Sequence, residues 1–434
     1  MKKRNKKHEK RMKKLIVGCG LCAVVLTVST YAWFIGMKTV NVSSFDVSIA
    51  AIDGLSLSLN GEDWADTVTI NQENHKTASY TGNTNSWGGT GLVPMSTVGK
   101  INTDASRLTL YEKGSLTTTH GGYRIMASEV PNTGNEEYRG YVAFDLFIKN
   151  LSGNEYYTEL NPGNEEAIYL ASDSAVTVAE GGVLNTGIEN SVRVAFAEIG
   201  RVKATGVDVS QITGITCAGS KDTDGNVIAT GICRDAQIWE PNDTKHVKNA
   251  INWYNTSCAK RTGSDLTKEA SYDDEFGTCS PIVNGYGYDT YAVSGEINYT
   301  DMVDVYDGED YNGYMGSVAT EADDGKLVAY PYFTDTMKNL LGTERPTFIT
   351  LAPNSITKVR VYIYIEGQDV DNYDFASLGK KISVAFGFTK ERFFDEDVDY
   401  NSTGTATLPD DVIKKEHWTE ITTAGDEIVE TPEG

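Results

Sequence analysis

The chain has 434 residues, of which 61 are acidic and 38 are basic, and its formal net charge at neutral pH is −23. A surface with this much negative charge repels nucleic acid and anionic lipid headgroups. We therefore expect no nucleic-acid partner, and no membrane contact except through the N-terminal segment.

Residues 1–32 have the pattern of an export signal. Positions 1–14 hold nine Lys or Arg residues and one Glu, and an uncharged run follows over 15–37. Thr30 and Ala32 supply the small residues of a signal-peptidase site, which predicts cleavage between Ala32 and Trp33. The uncharged run is also long enough to cross a bilayer, so an uncleaved signal anchor is the alternative. In both cases we expect the rest of the chain to be secreted or to lie on the cell surface.

Short runs in which apolar and polar residues alternate predict β-strands. Val361 and Ile363 share one face of such a run, while Arg360 and Tyr362 share the other, which predicts one buried face. Helical spacing occurs only in short segments, 246–254 and 334–341, for which we expect surface helices. The alternating runs are Val40 to Ala50, Tyr141 to Ile148, Val192 to Phe196, Val359 to Ile365 and Ile382 to Phe388.

These elements predict an all-β protein, mostly antiparallel, with the architecture of a β-sandwich or jelly roll. We assign the jelly-roll-like sandwich to residues 33–200 and 345–394. Residues 201–344 are rich in Gly, Asp, Asn and Tyr and read as a loop-rich insertion, with an independent second domain as the alternative. The acidic segment 395–434 is poor in large apolar residues and reads as a tail with at most one brief helix.

The insertion contains four cysteines, which are expected to form disulfides in an oxidising compartment. Cys19 and Cys22 lie in the export segment and have no redox context. Sequential pairing, Cys217 with Cys233 and Cys258 with Cys279, closes the shortest loops, but the two other connectivities stay open. A zinc site would need paired C-x-x-C motifs, which are absent.

One loop resembles the start of a calcium site. Asp222, Asp224 and Asn226 place oxygen atoms at alternate positions, but Val227 and Cys233 stand where an EF-hand has Gly and Glu. A plain turn of Asp, Asn and Gly residues is the alternative. We expect no cofactor other than a calcium ion at this loop.

Sequence motifs of catalysis are missing. The five histidines are scattered, and no H-E-x-x-H, G-x-S-x-G or phosphate-binding glycine loop occurs. Glu366 and Asp369 flank Gly367 just after a strong strand. They can be read as a carboxylate pair that binds a cation or transfers protons, or as a strand end with a turn at the glycine. We expect a protein that is not an enzyme.

Several short segments resemble the TasA/camelysin group of exported proteins of Gram-positive bacteria, and more closely a set of SipW-dependent-type surface proteins. The segment TYAWF and the strand that follows it carry the resemblance at the N-terminus. The other matching segments are GLSLSLNGEDW (Gly54 to Trp64), VRVAF (Val192 to Phe196), IWEPN (Ile238 to Asn242) and YIEGQDVD (Tyr364 to Asp371).

The resemblance implies cleavage by a SipW-type signal peptidase and a jelly-roll-like sandwich that joins extracellular fibres or a biofilm matrix. Members of the TasA type assemble when the N-terminal strand of one subunit enters the sheet of the next. We therefore expect self-association or binding to other matrix proteins, with residues 33–50 as the donated segment. Pairing of this segment within its own subunit is the alternative.

Two other functions stay open at this stage. A surface adhesin could bind glycans through Trp64, Trp87 and Trp239, although tryptophans are more often buried in a core. A secreted hydrolase is the third reading, because a pair of carboxylates can meet in space without leaving a sequence motif.

Overall fold

The residues described by the computed structural model all lie in one unit of the chain, Thr39–Gly434. The described residues are 42–51, 54–71, 74, 78, 92–119, 122–129, 141–153, 155–254, 340, 346–372 and 380–390, together with strand pieces at 290–293, 306–307, 310–311, 328–330, 399–400, 406–407, 419–421 and 430–432. Cys258, Cys279, Ala32, Trp33 and Trp87 lie outside these residues, as do most of the expected tail and residues 1–32.

Twenty-six strands and four short helical segments make up the described structure. Strands β1 to β12 are Val42–Ala51, Leu55–Ser58, Thr67–Ile70, Met95–Ser96, Ile101–Asn102, Arg107–Leu108, Tyr111–Thr119, Gly122–Glu129, Tyr141–Asn150, Glu166–Leu170, Ala175–Val178 and Val192–Lys203. Strands β13 to β26 are Ser220–Lys221, Val227–Gly231, Gln237–Trp239, Thr290–Val293, Tyr306–Asp307, Asp310–Tyr311, Val328–Tyr330, Ile349–Leu351, Ser355–Ile365, Lys380–Thr389, Asp399–Tyr400, Ala406–Thr407, Thr419–Ile421 and Glu430–Pro432. The 3₁₀ turns η1 and η2 are Pro162–Asn164 and Ile188–Ser191, helix α1 is Val209–Thr213, and helix α2 covers 248–254.

Two large sheets form the centre of the fold. The six-stranded sheet has the order β20-β10-β22-β1-β3, with β11 also paired to β22. The seven-stranded sheet has the order β13-β14-β12-β21-β9-β2, with β15 also paired to β12. A five-stranded sheet, β19-β16-β8-β7-β4, is built from other parts of the chain.

Aromatic side chains join the two large sheets face to face. Phe196 of β12 meets Phe386 and Phe388 of β22 edge to face, with ring centroids 5.2 and 6.4 Å apart. Trp239 of β15 also packs on Phe386, at 6.4 Å. Edge-to-face contacts of this kind add to the free energy gained by burying the rings. The expected β-sandwich-like, mostly antiparallel fold is confirmed, and its jelly-roll connectivity stays a prediction.

All five alternating runs form strands, and β1 shows why. Phe45, Val47 and Ile49 are buried, whereas Asp46 and Ser48 between them are exposed. This period of two places the apolar face of β1 on the core. β1 pairs antiparallel with β3 and parallel with β22, from Val42↔Lys380 to Ala51↔Phe388.

The expectation of one buried face for β21 is wrong. All eleven residues of β21 are buried, including Lys358 and Arg360. On the face turned away from the six-stranded sheet, Tyr362 and Tyr364 join a second hydrophobic cluster with Met95, Leu108 and Ile212 from the segments that cover this face. Because these other segments cover it, the polar side of β21 is buried as well.

Residues 201–344, which were expected to form an insertion, contribute strands to the seven-stranded sheet. The boundary assigned at residue 200 falls inside β12, and β13, β14 and β15 extend the seven-stranded sheet beyond that strand. A disulfide joins Cys217 and Cys233, whose Cα atoms are 5.4 Å apart, and so confirms the first of the two expected pairs. None of the helices in the described segments has the length and apolar character needed to span a bilayer.

Candidate functional site

A group of buried ionisable side chains lies where β21 ends beside the start of β12. We call it the buried acidic cluster: Glu240, Asp243, His246, Glu366, Asp369 and Asp371, arranged around Arg193. Its members are at most 6% exposed. Charged side chains are rarely buried to this extent without a specific role or a partner.

Backbone hydrogen bonds fix the turn that carries three of these carboxylates. Glu366 N–H donates to Ser191 O at 2.7 Å, and Gly367 N–H donates to Met95 O at 3.0 Å. The turn is thereby held to η2 on one side and to β4 on the other. The interpretation of Gly367 as a turn after a strand is confirmed, and the turn also directs Glu366 and Asp369 inward.

Gly187, which precedes η2, lets the chain approach the cluster closely. Its φ is +87°, and a Cβ placed there would lie 2.5 Å from Asp371 Oδ1 and 2.9 Å from Val247 Cγ2. Only glycine fits both the conformation and the space. The position of Asp371 therefore depends on this residue.

Arg193 is the central cation of the cluster. Its Nη2 lies 2.7 Å from Asp369 Oδ2, and its Nε lies 3.4 Å from Glu240 Oε1. Its Nη1 donates to Asn190 O at 2.6 Å and to Val192 O at 3.1 Å. Five carboxylates thus face one guanidinium and one imidazole in a dry interior, which leaves negative charge in excess.

His246 and Asp371 form a second close pair. His246 Nδ1 lies 2.6 Å from Asp371 Oδ2, while Asp371 Oδ1 accepts the Val247 N–H at 2.9 Å. Burial lowers the pKa of His246, but the hydrogen bond and charge of Asp371 raise it more, so that the net shift is upward. Burial also raises the pKa of Asp371. The two side chains therefore stabilise each other through a short hydrogen bond in a buried site.

Burial also raises the pKa values of other carboxylates of the cluster. Burial raises the pKa of Glu366 to about 7, against the hydrogen bond that Ser96 Oγ donates to its Oε1. Burial likewise raises the pKa of Asp369 to about 6 and that of Asp243 to about 6, both against the charge of Arg193. Desolvation is the main cause in each case, because it penalises the charged form.

The cluster contains a set of side chains with the chemistry of a metal site. One ligand atom each from His246, Asp369 and Asp371 lies within 4.8 Å of the others, and all three residues are buried. An imidazole nitrogen with two carboxylate oxygens is a donor set that zinc and manganese ions accept. The arrangement can hold protons or a cation.

A second buried charge group lies on β12 and the segments beside it. Glu165 pairs with Arg201 at 2.6 Å and with Arg234 at 2.9 Å. Glu198 lies 3.8 Å from Arg234, and burial raises the pKa of Glu198 to about 8. Because both arginines are already paired with Glu165, they compensate only part of the desolvation of Glu198.

A polar cavity of about 530 Å³ opens on the covered face of the seven-stranded sheet. Asp145, Lys358 and Arg360 line it together with Arg107 and Ser106. Asp145 Oδ1 accepts from Arg360 Nε at 2.7 Å, and its Oδ2 lies 3.2 Å from Lys358 Nζ. The cavity thus brings several basic groups together in a strongly acidic protein.

The proposed calcium loop forms the turn between β13 and β14. Asp222 Oδ1 accepts N–H groups from Asp224 at 2.9 Å and Asn226 at 2.8 Å, and Asp222 Oδ2 accepts the Asn226 side-chain N–H at 2.9 Å. These are the contacts of the plain turn that the sequence left open as the alternative. Calcium binding by this exposed loop stays a prediction.

The tryptophans do not form a shared surface for sugars in the described residues. Trp239 is fully buried between the sheets, and the ring of Trp64 is covered by Lys149 Nζ at 3.7 Å from its centroid. Trp239 therefore cannot belong to the sugar-stacking surface suggested for Trp64, Trp87 and Trp239, and Trp87 lies outside the described residues.

Sequence reasoning missed Arg193, Glu240, Asp243, His246 and Asp371 as members of one site. One signal was present: VRVAF, IWEPN and YIEGQDVD, which were noticed for a resemblance, converge on the cluster. An arginine inside an alternating apolar strand was a second signal, since such a position is buried only with a partner.

No protein-family model, curated protein or solved structure matches this chain. A function must therefore be argued from the geometry of the chain itself.

Proposed function

We propose that the chain is an exported structural protein of a cell surface or extracellular matrix, of the TasA/camelysin type, which self-associates by exchanging its N-terminal strand β1. The observation that carries the proposal is the placement of β1. The first described strand after the export segment is an inner strand of the six-stranded sheet, and it holds β22 on one side and β3 on the other.

The apolar face of β1 gives the free energy that an exchanged strand needs. Burial of each large side chain, Phe45, Val47 and Ile49, stabilises the sheet by about 1.5–3 kcal/mol. A copy of β1 from a neighbouring subunit makes the same contacts in the same register. Exchange therefore costs little free energy once β1 has left its own sheet, as in domain swapping.

The N-terminal position of β1 also suits exchange. The segment before β1 is the predicted signal, so cleavage between Ala32 and Trp33 by a SipW-type peptidase would leave β1 near a free chain end. A strand close to a free end can be withdrawn without breaking a connection on that side. The disulfide between Cys217 and Cys233 supports an oxidising compartment outside the cytosol.

Electron microscopy of the exported chain, with its N-terminus defined by mass spectrometry, tests the proposal. We expect fibres or chains of subunits from the unmodified protein. V47D should stop assembly, because it places a charge on the buried face of β1. S48D adds the same charge to the exposed face and should assemble normally. An unmodified protein that stays monomeric at high concentration, across pH and with calcium present, refutes the proposal.

The polar cavity favours a second candidate function, a surface adhesin that binds glycans. Its volume of about 530 Å³ and its lining by Asp145, Lys358 and Arg360 suit an acidic saccharide. A glycan array tests this candidate with A218W, which places a bulky ring at the exposed rim, and V227W as a control outside the cavity. Binding that A218W abolishes and V227W preserves, by a protein that stays monomeric, would select the adhesin.

A further inference from the structure

We propose that His246, Asp369 and Asp371 bind a divalent transition-metal ion of the zinc and manganese class. The proposal does not depend on strand exchange. It rests on three observations: the donor set, the excess of buried negative charge around it, and buried polar atoms beside it that have no hydrogen-bond partner.

The three donors come from two preorganised segments. Asp369 and Asp371 sit in the turn after β21, and Asp371 N–H donates to Asp369 Oδ1 at 2.8 Å. His246 lies just before α2, and the neighbouring Val247 N–H holds Asp371. Ligands whose orientation is fixed by further hydrogen bonds bind metals more tightly than mobile ones.

The spacing suits a small ion. The three ligand atoms lie within 4.8 Å of one another, whereas ligands of a tetrahedral zinc ion are about 3.3–3.6 Å apart. Side-chain movements of about 1 Å would narrow the widest of these separations and widen the 2.6 Å contact between His246 Nδ1 and Asp371 Oδ2 to this range. Metal binding would replace the hydrogen bond between His246 Nδ1 and Asp371 Oδ2, because both atoms would become ligands.

The excess of negative charge favours a cation over the apo protein. Arg193 neutralises one of the carboxylates around it, and its pairing with Asp369 Oδ2 still leaves lone pairs on that carboxylate for a metal. A divalent ion would bring the total charge of the cluster closer to zero. Buried charge that is not balanced is strongly destabilising.

Two buried polar atoms give an independent indication of a ligand. Glu366 Oε2 and Tyr364 OH are both fully buried and have no hydrogen-bond partner among the described residues. The charges of Glu366 and Glu240 both act on Tyr364, which places its hydroxyl beside the cluster. Water bound to a metal ion would provide partners for such atoms.

The imidazole donor decides the class of ion. Calcium prefers oxygen ligands alone and takes six to eight of them, whereas zinc and manganese accept a nitrogen with two carboxylates. Calcium therefore serves as the comparison ion in the test.

The test measures metal content and stability of the full exported chain. We expect about one zinc or manganese ion per chain by elemental analysis of protein purified without chelator, and a midpoint of thermal unfolding that falls after chelation and recovers with ZnCl₂. Cobalt(II) loaded into the stripped protein should give a visible absorption band that reports its ligands.

Three variants identify the site. H246Q and D369N should weaken zinc affinity by about tenfold to hundredfold or more, and H246Q should shift the cobalt band. D224N changes a carboxylate of the turn between β13 and β14 and should bind zinc like the unmodified chain. Near-ultraviolet circular dichroism of the metal-free variants shows whether they fold. If D369N does not fold, H246Q alone tests the site.

The proposal is overturned if the unmodified chain retains no transition metal and its unfolding midpoint does not respond to Zn²⁺, Mn²⁺ or Co²⁺. It is also overturned if H246Q binds zinc as tightly as the unmodified chain, if D224N abolishes binding, or if calcium alone stabilises the protein.

Discussion

Arg193 illustrates what a single position in the sequence can and cannot disclose. The alternation of VRVAF predicts a strand, and it places Arg193 opposite Val194 and Phe196 on the two faces. The strand was predicted, but the burial of its polar side was not. That burial depends on Asp369 and Glu240, which lie far along the chain and on different elements.

Gly187 provides a prediction at the same scale. G187A should lower the free energy of unfolding by several kcal/mol, because the new Cβ would press on Asp371 and Val247 in a left-handed conformation. G206A is the matched control: its φ is +77°, and no atom lies within 4 Å of the added Cβ. The control should cost only about 1 kcal/mol of conformational strain. Denaturant unfolding measures both, and equal losses would contradict the role of Gly187.

Glu198 makes a prediction about pH. Burial raises the pKa of Glu198 from its ordinary 4.5 to about 8. Between these values the folded protein holds a proton that the unfolded chain has lost, so this residue lowers stability as the pH rises from about 5 to about 8. E198Q has no ionisable group at this position and therefore lacks this loss of stability with rising pH. The stability gained by E198Q over the unmodified chain should therefore grow with pH across that window, by at most about 1.4 kcal/mol per pH unit.

Glu166 supplies the control of opposite sign. Hydrogen bonds from Ser152, Lys390 and Asn150 outweigh burial and lower the pKa of Glu166. Its contribution to stability is present above the unfolded pKa and is lost as the pH falls through the folded pKa. E166Q should thus reduce stability at neutral pH and have little effect in acid. Unfolding curves at several pH values measure both variants. If the stability of E198Q and that of E166Q, each relative to the unmodified chain, changed in the same direction with pH, the opposite pKa shifts of Glu198 and Glu166 would be contradicted.

Among the elements, strands with a period of two were predicted well, and their partners were not. The run over 40–50 became β1, but its parallel pairing with β22 has no sequence signal, since alternation fixes which face is buried and not which strand lies beside it. The segment 246–254 did form a short surface helix as expected, with Lys248, Asn249 and Asn252 exposed and its apolar face, Val247, Ala250 and Tyr254, buried. Helix α2 therefore packs into the fold behind His246.

The candidate site could not be predicted either, because contacts between elements that are distant in the sequence leave no pattern in it. Glu366 and Asp369 were singled out by their place after a strand, while His246 and Asp371 are 125 residues apart and meet only in the folded chain. Residues that lie close only through tertiary contacts leave no spacing to detect.

The β13–β14 hairpin and its disulfide carry a prediction at the scale of elements. Cys217 and Cys233 close a loop with a sequence separation of 16. Replacing both by serine should cost about 3 kcal/mol of stability, mainly because the unfolded chain gains entropy. Hydrogen exchange should accelerate in β13 and β14 before it does in β9 and β21, which are buried in the central sheet. An acceleration that is uniform over the seven-stranded sheet would show that the hairpin does not open separately.

For the molecule as a whole, net charge sets a barrier to self-association: the full chain carries −23, and the proposed cleaved chain, which loses nine of the 38 basic and one of the 61 acidic residues and so keeps 29 and 60, carries −31. Repulsion between like-charged subunits is screened by salt over a distance of about 10 Å at 0.1 M. The proposed assembly should therefore be faster at about 0.3 M NaCl than at about 0.01 M. Light scattering measures the rate. Assembly that slows with added salt would instead indicate attraction between unlike charges at the interface.

The parallel pairing of β1 with β22 also means that one partner is synthesised long before the other. Val42 pairs with Lys380, so the partner of β1 is synthesised about 340 residues later. At about 5–20 residues per second, β1 waits roughly 15–70 s before its own β22 exists. During that interval the place beside β1 is open to the β22 strand of a neighbouring chain, as the proposed strand exchange requires. The crowding of nascent chains at one place, rather than the stability of the finished fold, would then decide how many strands are exchanged.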